Sequence, residues 1–589
     1  MKRLFFILTL LMPLLLMSQT ASVVFSHQGG FYNNSFNLTL TCDGSYHIRY
    51  TTNGNTPTSN STLYTGPLFL NEDLFSNSNI HNIVNCIPSA FYQTEDVERS
   101  IVIRAAVFDN NDSCVSAVKT NTYFIRSLGC DIYKMPVISI STDSLSLFDY
   151  YTGIFVPGVH YDPEDPRHTG NYYQRGKDWE RKINFEFYEQ NNFGVNQQCG
   201  LRTHGNASRW FQQKGMKLYA RDEYGKKRFK FPFFGNDELD DFKHLSLHPF
   251  RCSVWLQTGA QDFLAHKVAS NLDIDALAVR QVSVFINGEY WGIYTLEETP
   301  DERYLEDHYE VDLEAVNIIK YFVVQEYGDA TDWWTFFDWL QHSDLSQPED
   351  SIVAFSRMDV HSLIDYMIFE IFSANLDWPF NNVRIWQPAT GEPFRMLFFD
   401  GDGCFIRWYY DALNMAMNSG HDSYVLNHFL QNDYFKREFY NRYNELKSSY
   451  FSYNSLRSYL NEYQNIIEDD VPKQSERFGF PATVARWESD LDTIDTFFRM
   501  RSAAFEQELQ GILLTHEAET PYFTCHPNPS SGTFIVDLGS FANKINQIDI
   551  YDFMGRNVLT TNNPIIECDL PKGIYFIKIG ESTQKIIIQ

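Results

Sequence analysis

The chain has 589 residues, 16% of them aromatic and 21% charged, which is too long for one ordinary core and too rich in core-forming side chains for a disordered chain. Its formal net charge of -28 argues against nucleic acid as a partner, because such a surface repels phosphate backbones. The nine cysteines include no Cys-x-x-Cys pair, so a thiolate zinc site has no support, and the odd count leaves at least one thiol outside any intrachain disulfide.

Residues 1–18 have the form of a secretory signal peptide. Lys2 and Arg3 open it, the apolar run 4–17 is interrupted only by Thr9 and Pro13, and Ser18 offers a small residue for cleavage. The run is short for a bilayer span, which takes about 20 apolar residues, and no later stretch is long and apolar enough, so no membrane span is expected. Outside the cell the cysteines meet oxidising conditions. Cys42, Cys86, Cys114 and Cys130 lie close enough in the chain to pair, with the connectivity open.

Residues 23–126 read as short strands and turns. The stretches 35–41 and 46–51 alternate polar and apolar, Asn53-Gly54 supplies a turn that tolerates positive φ, 101–108 is a strand, and 117–125 closes the unit. This pattern predicts a small β-sandwich. The segments around Gly29-Gly-Phe-Tyr32, 48–57, 61–67 and 122–125 resemble the chitobiase/β-hexosaminidase C-terminal-like module. The resemblance implies an Ig-like accessory domain without the glycosidase. It makes carbohydrate a candidate partner through Tyr50 and Tyr64, although buried sandwich aromatics suit those residues better.

The middle of the chain, 131–510, mixes strands (183–188, 217–220, 282–286) with helical periodicity over 360–373 and 434–451. A strand-rich front and a helix-rich back predict two lobes with a cleft between them. Two familiar motifs fail here. Residues 170–177 miss a Walker A loop by spacing and by Asp178, and 400–403 carry glycine at the wrong position for an EF-hand.

Three segments of this region carry chemistry. In 200–221, small residues and cations crowd a turn. Backbone N–H groups from Gly205 through Asn206 to Ser208 suit phosphate oxygens, with Lys214, Lys217 or Arg202 adding charge. In 375–384, Asp377 and Asn382 are spaced like the Asp and Asn of a protein-kinase catalytic loop, without the preceding His-Arg. In 395–403 an apolar strand delivers Asp400 and Asp402 to a glycine-rich end, where hard carboxylates suit Mg²⁺.

These segments, in this order, resemble the CotH kinase family. So do 136–140, 153–156, the run 287–298 and Asp365-Tyr366. The resemblance implies ATP and Mg²⁺ (or Mn²⁺) as cofactors, and phosphoryl transfer to Ser or Thr of an exported protein substrate. Carried over, Asp377 is the catalytic base, Asn382 a metal ligand with Asn381 as substitute, and Asp400 the Mg²⁺ ligand. Lys217 pairs with phosphates, with Lys214 next. The partner of that lysine is open: the helix expected over 261–272 carries Asp262 but no Glu, and Glu297 and Glu298 both remain. Phe394 is a core residue or an adenine stacker.

Residues 521–589 form a second small β unit. The opening His526-Pro-Asn-Pro-Ser-Ser-Gly532, the stretch 550–556, Gly573-Ile-Tyr-Phe576 and the closing Lys-Ile-Ile-Ile resemble the type A sorting domain of the type IX secretion system. That implies the type IX machinery as a partner, delivery to the surface or beyond, and a Bacteroidetes-type host. The fold class is therefore multidomain α+β, with a divergent protein-kinase-like two-lobed central domain flanked by two small all-β sandwich domains. The function expected is a secreted or surface kinase. The alternative is a non-catalytic extracellular binding or adhesion protein on a kinase-like scaffold.

Overall fold

The computed structural model describes residues 21–74, 78–80, 97–126, 133–189, 192–235, 239–251, 255–418, 420–513, 523–537, 547–580 and 582–589. The expected signal peptide, the 517–521 linker and Cys86, Cys130 and Cys252 lie outside these residues. Cys42 and Cys114, two of the four cysteines that could pair, are free among the described residues. The chain is mixed α and β, with a small N-terminal β unit, a large central body and a C-terminal β unit.

Sequence patterning predicts a strand-rich front to the central body. The structure closes it into a seven-stranded barrel, which local alternation does not announce. Its order is Val137–Ser141, Arg181–Glu189, Asn192–His204, Gly215–Tyr219, His244–Pro249, Glu289–Glu297, Val279–Ile286. Closure comes from the parallel pairing of the first strand with the last, Val137 opposite Ser283 and Ile140 opposite Ile286. Alternate residues fill the interior: Phe185, Leu201, Leu218, Leu245, Val284 and Leu296 belong to one buried cluster.

The opposite residues of the same strands face outward, and one patch of them carries the N-terminal unit. Arg181–Glu189 sends Ile183, Phe185 and Phe187 inward and Glu186 and Tyr188 outward against that unit. Glu186 is fully buried there and accepts hydrogen bonds from Thr122 N–H (3.0 Å), Thr122 Oγ1 (2.6 Å) and Tyr188 Oη (2.7 Å). Phe31 and Phe124 pack with Tyr188, Phe285 and Tyr290. The Asn53-Gly54 turn sits so tightly on the barrel that a Cβ at Gly54 would meet Asn287 at 2.1 Å. Tyr50 and Tyr64 pack against the unit's own core, and Tyr64 Oη accepts the Leu40 N–H.

Behind the barrel, a five-stranded sheet (Asp275–Ala276, Arg395–Phe398, Arg384–Gln387, Asn317–Lys320, Val324–Tyr327) is combined with helices. The helices include Val360–Ser373, as the periodicity predicts, Asp433–Ser448 and the 30-residue Val484–Leu513. Together they enclose the largest core, with Trp333, Phe369, Phe398 and Phe497 among its members. The C-terminal unit pairs a three-stranded sheet with a four-stranded one around Phe534, Ile550, Ile577 and Ile586. Its Asp552-to-Arg556 turn is tied by Asp552, which accepts the N–H groups of Met554 and Arg556. Among the described residues no helix is long and apolar enough to cross a membrane.

Candidate functional site

The site forms where the outer face of the barrel meets two loops of the helical half. Register places Arg202, Lys217, Ser246 and Glu297 directly opposite one another on successive strands, so they share one face. His244 and His248, two residues either side of Ser246, lie on that face too. The alternation His-Leu-Ser-Leu-His over 244–248 is a strand signal that sequence reading passed over.

Lys217 Nζ donates to Asp301 Oδ2 at 2.9 Å, which supplies the partner that the sequence left open. It is none of Asp262, Glu297 or Glu298. Glu298 accepts the Ala278 N–H and a bond from His308, whereas Glu297 points towards His248. Asp301 also accepts from His244 Nδ1 (2.8 Å) and caps the helix Glu302–Tyr309 through the Arg303 N–H (3.0 Å). Burial opposes its charge, but the Lys217 ammonium and the His244 bond outweigh burial and hold Asp301 well below the usual carboxylate range.

The remaining cations of the 200–221 segment are engaged elsewhere. Arg202 donates to Glu180 (3.1 Å) and lies 4.0 Å above the Tyr219 ring. Lys214 is fully buried and donates to the carbonyls of Arg209 (3.0 Å) and Phe211 (2.8 Å), so it braces the loop from inside. Gly205, at φ +95°, allows Ser208 to approach to 2.1 Å of where a Cβ would stand, and Asn206 accepts from Tyr173 Oη (2.7 Å).

From the helical half come Asp377, Asn382, Asp400 and Asp402. Asp377 follows Val360–Ser373, and its N–H is held by Asn375 Oδ1 (3.1 Å). Asn375 is in turn bonded to Glu370 (2.9 Å), whose carboxyl burial pushes up to about 8. Asn382 Nδ2 donates to the Asp400 carbonyl at 3.4 Å. Both residues hold positive φ, +60° and +64°, a conformation that non-glycine residues adopt at a cost and that concentrates at working sites. The strand ends at Phe398, so Phe399 intervenes before Asp400.

The two glycines of this turn are explained by close approach. A Cβ at Gly401 would meet Ala265 at 2.4 Å, and one at Gly403 would meet Asn375 Oδ1 at 2.3 Å. The acidic turn is thus pinned between the helix Gln261–Ala269 and the Asp377 loop. Asp262, at the start of that helix, accepts the Gly401 N–H (2.8 Å).

The electrostatics follow from this crowding. Burial raises Asp377 above its ordinary value. Burial, and then the nearby charges of Asp402, Asp262 and Asp377, raise Asp400 as well. Burial works against a charged His248, yet Asp402, Glu297, Asp262 and Asp400 together hold it up at about 10. Its Nε2 lies 3.5 Å from Asp402 and its Nδ1 3.8 Å from Asp262. Phe394 belongs to the core beside Trp333 and Phe336, away from any stacking role. Asp365 is buried and doubly bonded to Arg442, a structural tie.

The site is a carboxylate-lined junction between the strand barrel and the helical block, on the barrel face that also carries the Lys217–Asp301 pair. Family comparison gives three matches: CotH kinase protein over residues 201–505, chitobiase/β-hexosaminidase C-terminal domain over 27–75, and secretion system C-terminal sorting domain over 524–589. The first covers more than half of the sequence, and the chain belongs to the CotH kinase protein family. Its C-terminal sorting domain directs export through the type IX secretion system to the cell surface or the extracellular space. No curated protein matches the chain.

Proposed function

We propose that this exported protein is a kinase that transfers the terminal phosphate of ATP to Ser or Thr hydroxyls of exported proteins. In this reading the barrel is the smaller lobe and the helical block the larger, and the central catalytic unit is 131–510. The observation that carries the reading is the meeting of Asp377, Asn382 and Asp400 beside the barrel face that carries Lys217. These are the residue types that phosphoryl transfer uses, in the chain order of a kinase.

The donor set fits a hard divalent cation: Asp400 is a carboxylate raised by burial and then by its acidic neighbours, the situation that a cation relieves, and Asn382 donates to its carbonyl. Asp400 and Asn382 would hold Mg²⁺ or Mn²⁺, which supplies neutralisation of phosphate charge when bound. Lys217, steadied by Asp301, orients phosphate oxygens. Asp377 takes the proton from the attacking hydroxyl, and its raised affinity for protons suits a base.

The test is transfer of labelled phosphate from ATP by the full chain, with and without Mg²⁺ or Mn²⁺, onto itself and onto exported proteins. Asp377→Asn should slow transfer about 10²- to 10⁴-fold while sparing nucleotide binding. Equal transfer by the variant removes Asp377 from the mechanism. Absence of transfer by the wild type favours the binding or adhesion reading.

A further inference from the structure

The acidic face holds a second set of donors that the kinase reading leaves unused. One ligand atom each from His248, Asp262 and Glu297 lies within 4.8 Å of the others. Three donors bonded to one ion at about 2.1 Å stand about 3.0–3.6 Å apart, so an inward movement of at most about 1 Å by each makes a coordination shell. We propose that His248, Asp262 and Glu297 form a cation site of their own, selective for a first-row ion such as Mn²⁺ over Mg²⁺.

Two observations carry the assignment. Asp262 is 2% exposed, and its Oδ2 has no hydrogen-bond partner while its Oδ1 accepts the Gly401 N–H. A buried carboxylate oxygen without a hydrogen bond is costly unless a cation reaches it, and this one points towards His248 Nδ1. Behind the ring, Asp402 Oδ2 faces Nε2 at 3.5 Å. That is the arrangement in which a carboxylate fixes the tautomer of a metal-binding histidine and frees the other nitrogen to coordinate.

The chemistry selects the ion. Mg²⁺ takes oxygen donors and keeps its waters, whereas an imidazole in the shell suits later first-row ions. The site adjoins the Asp400 position but stands on different side chains, and it is tested without nucleotide.

Metal-stripped full-length protein is titrated with Mn²⁺, and bound ion is read by electron spin-echo modulation from directly bonded nitrogen. The expected result is nitrogen modulation in the wild type, its loss in His248→Asn, and at least tenfold weaker competition by Mg²⁺. Asp402→Asn should lower Mn²⁺ affinity about 10- to 100-fold. Bound Mn²⁺ without nitrogen modulation, modulation unchanged in His248→Asn, absence of Mn²⁺ binding, or equal competition by Mg²⁺ overturns the proposal. Should His248→Asn fail to fold, anomalous scattering from wild-type crystals decides. A manganese peak bonded to the three side chains supports the site, and a peak at Asp400 and Asn382 alone, or none, refutes it.

Discussion

Replacing Asp301 by alanine is the sharpest probe of how the site is held. One carboxylate serves Lys217, His244 and the first turn of Glu302–Tyr309. Loss of the helix cap costs about 1 kcal/mol. Leaving a buried charge without its partner costs about 3–5 kcal/mol. Lys217 and Asp301 are 12% and 19% exposed, which puts the loss at the lower end, so the single substitution should cost about 4 kcal/mol. In a Lys217→Met background no charge is stranded, and the same substitution should cost about 1 kcal/mol, the cap alone. The double-mutant cycle then gives a coupling of about 3 kcal/mol. Urea unfolding read by tryptophan emission measures it in the full chain. All 11 tryptophans lie between positions 179 and 487, so the signal reports the central body alone. A coupling under about 1 kcal/mol would refute the argument that Asp301 sets the position and charge of Lys217.

The same assay tests Glu186, whose carboxyl burial pushes up to about 7. A raised carboxyl contributes stability that is fully present below its ordinary value near 4.5 and is lost as pH rises through 7. Wild-type stability should therefore fall by about 3 kcal/mol more than that of Glu186→Gln across this window, and parallel curves would contradict the assignment. Asp400→Ala should abolish Mg²⁺-dependent ATP binding in calorimetry while tryptophan emission still shows a folded central body; unchanged affinity would move the nucleotide metal elsewhere. Residues 521–589 fused to a reporter should carry it outside a host with the type IX system, and a reporter retained in the periplasm would count against this segment being sufficient.

Much of the candidate site was legible because its residues lie in short stretches. Asp377 and Asn382 lie in one loop, and Asp400 and Asp402 in one turn, so local spacing set between a helix and strands was enough to pick them out. The strand carrying Lys217 and the helix Val360–Ser373 were readable for the same reason, since a period of two or of 3.6 is a property of the segment itself. The lysine at 214 shows the limit. Composition makes it equal to Lys217, but one residue of parity and one turn of chain direct it into the loop interior, where two carbonyls accept its N–H groups.

What the sequence determined by itself is the order of modules, the periodicity of the central strands and helices, and the acidic and amide side chains of the two loops. What only the tertiary structure decided is which distant side chains meet. Lys217 and Asp301 are 84 positions apart, and Asp262 and Gly401 are 139 apart. The barrel closes through strands some 146 residues distant, Val137 beside Ser283. A local pattern fixes the face on which a side chain lies, because that follows from backbone geometry within a few residues. It carries no information about which face lies opposite, because that depends on strand register and packing summed over the whole core. The gathering of His248, Asp262 and Glu297 around one point is a product of that register, which is why no motif announced it.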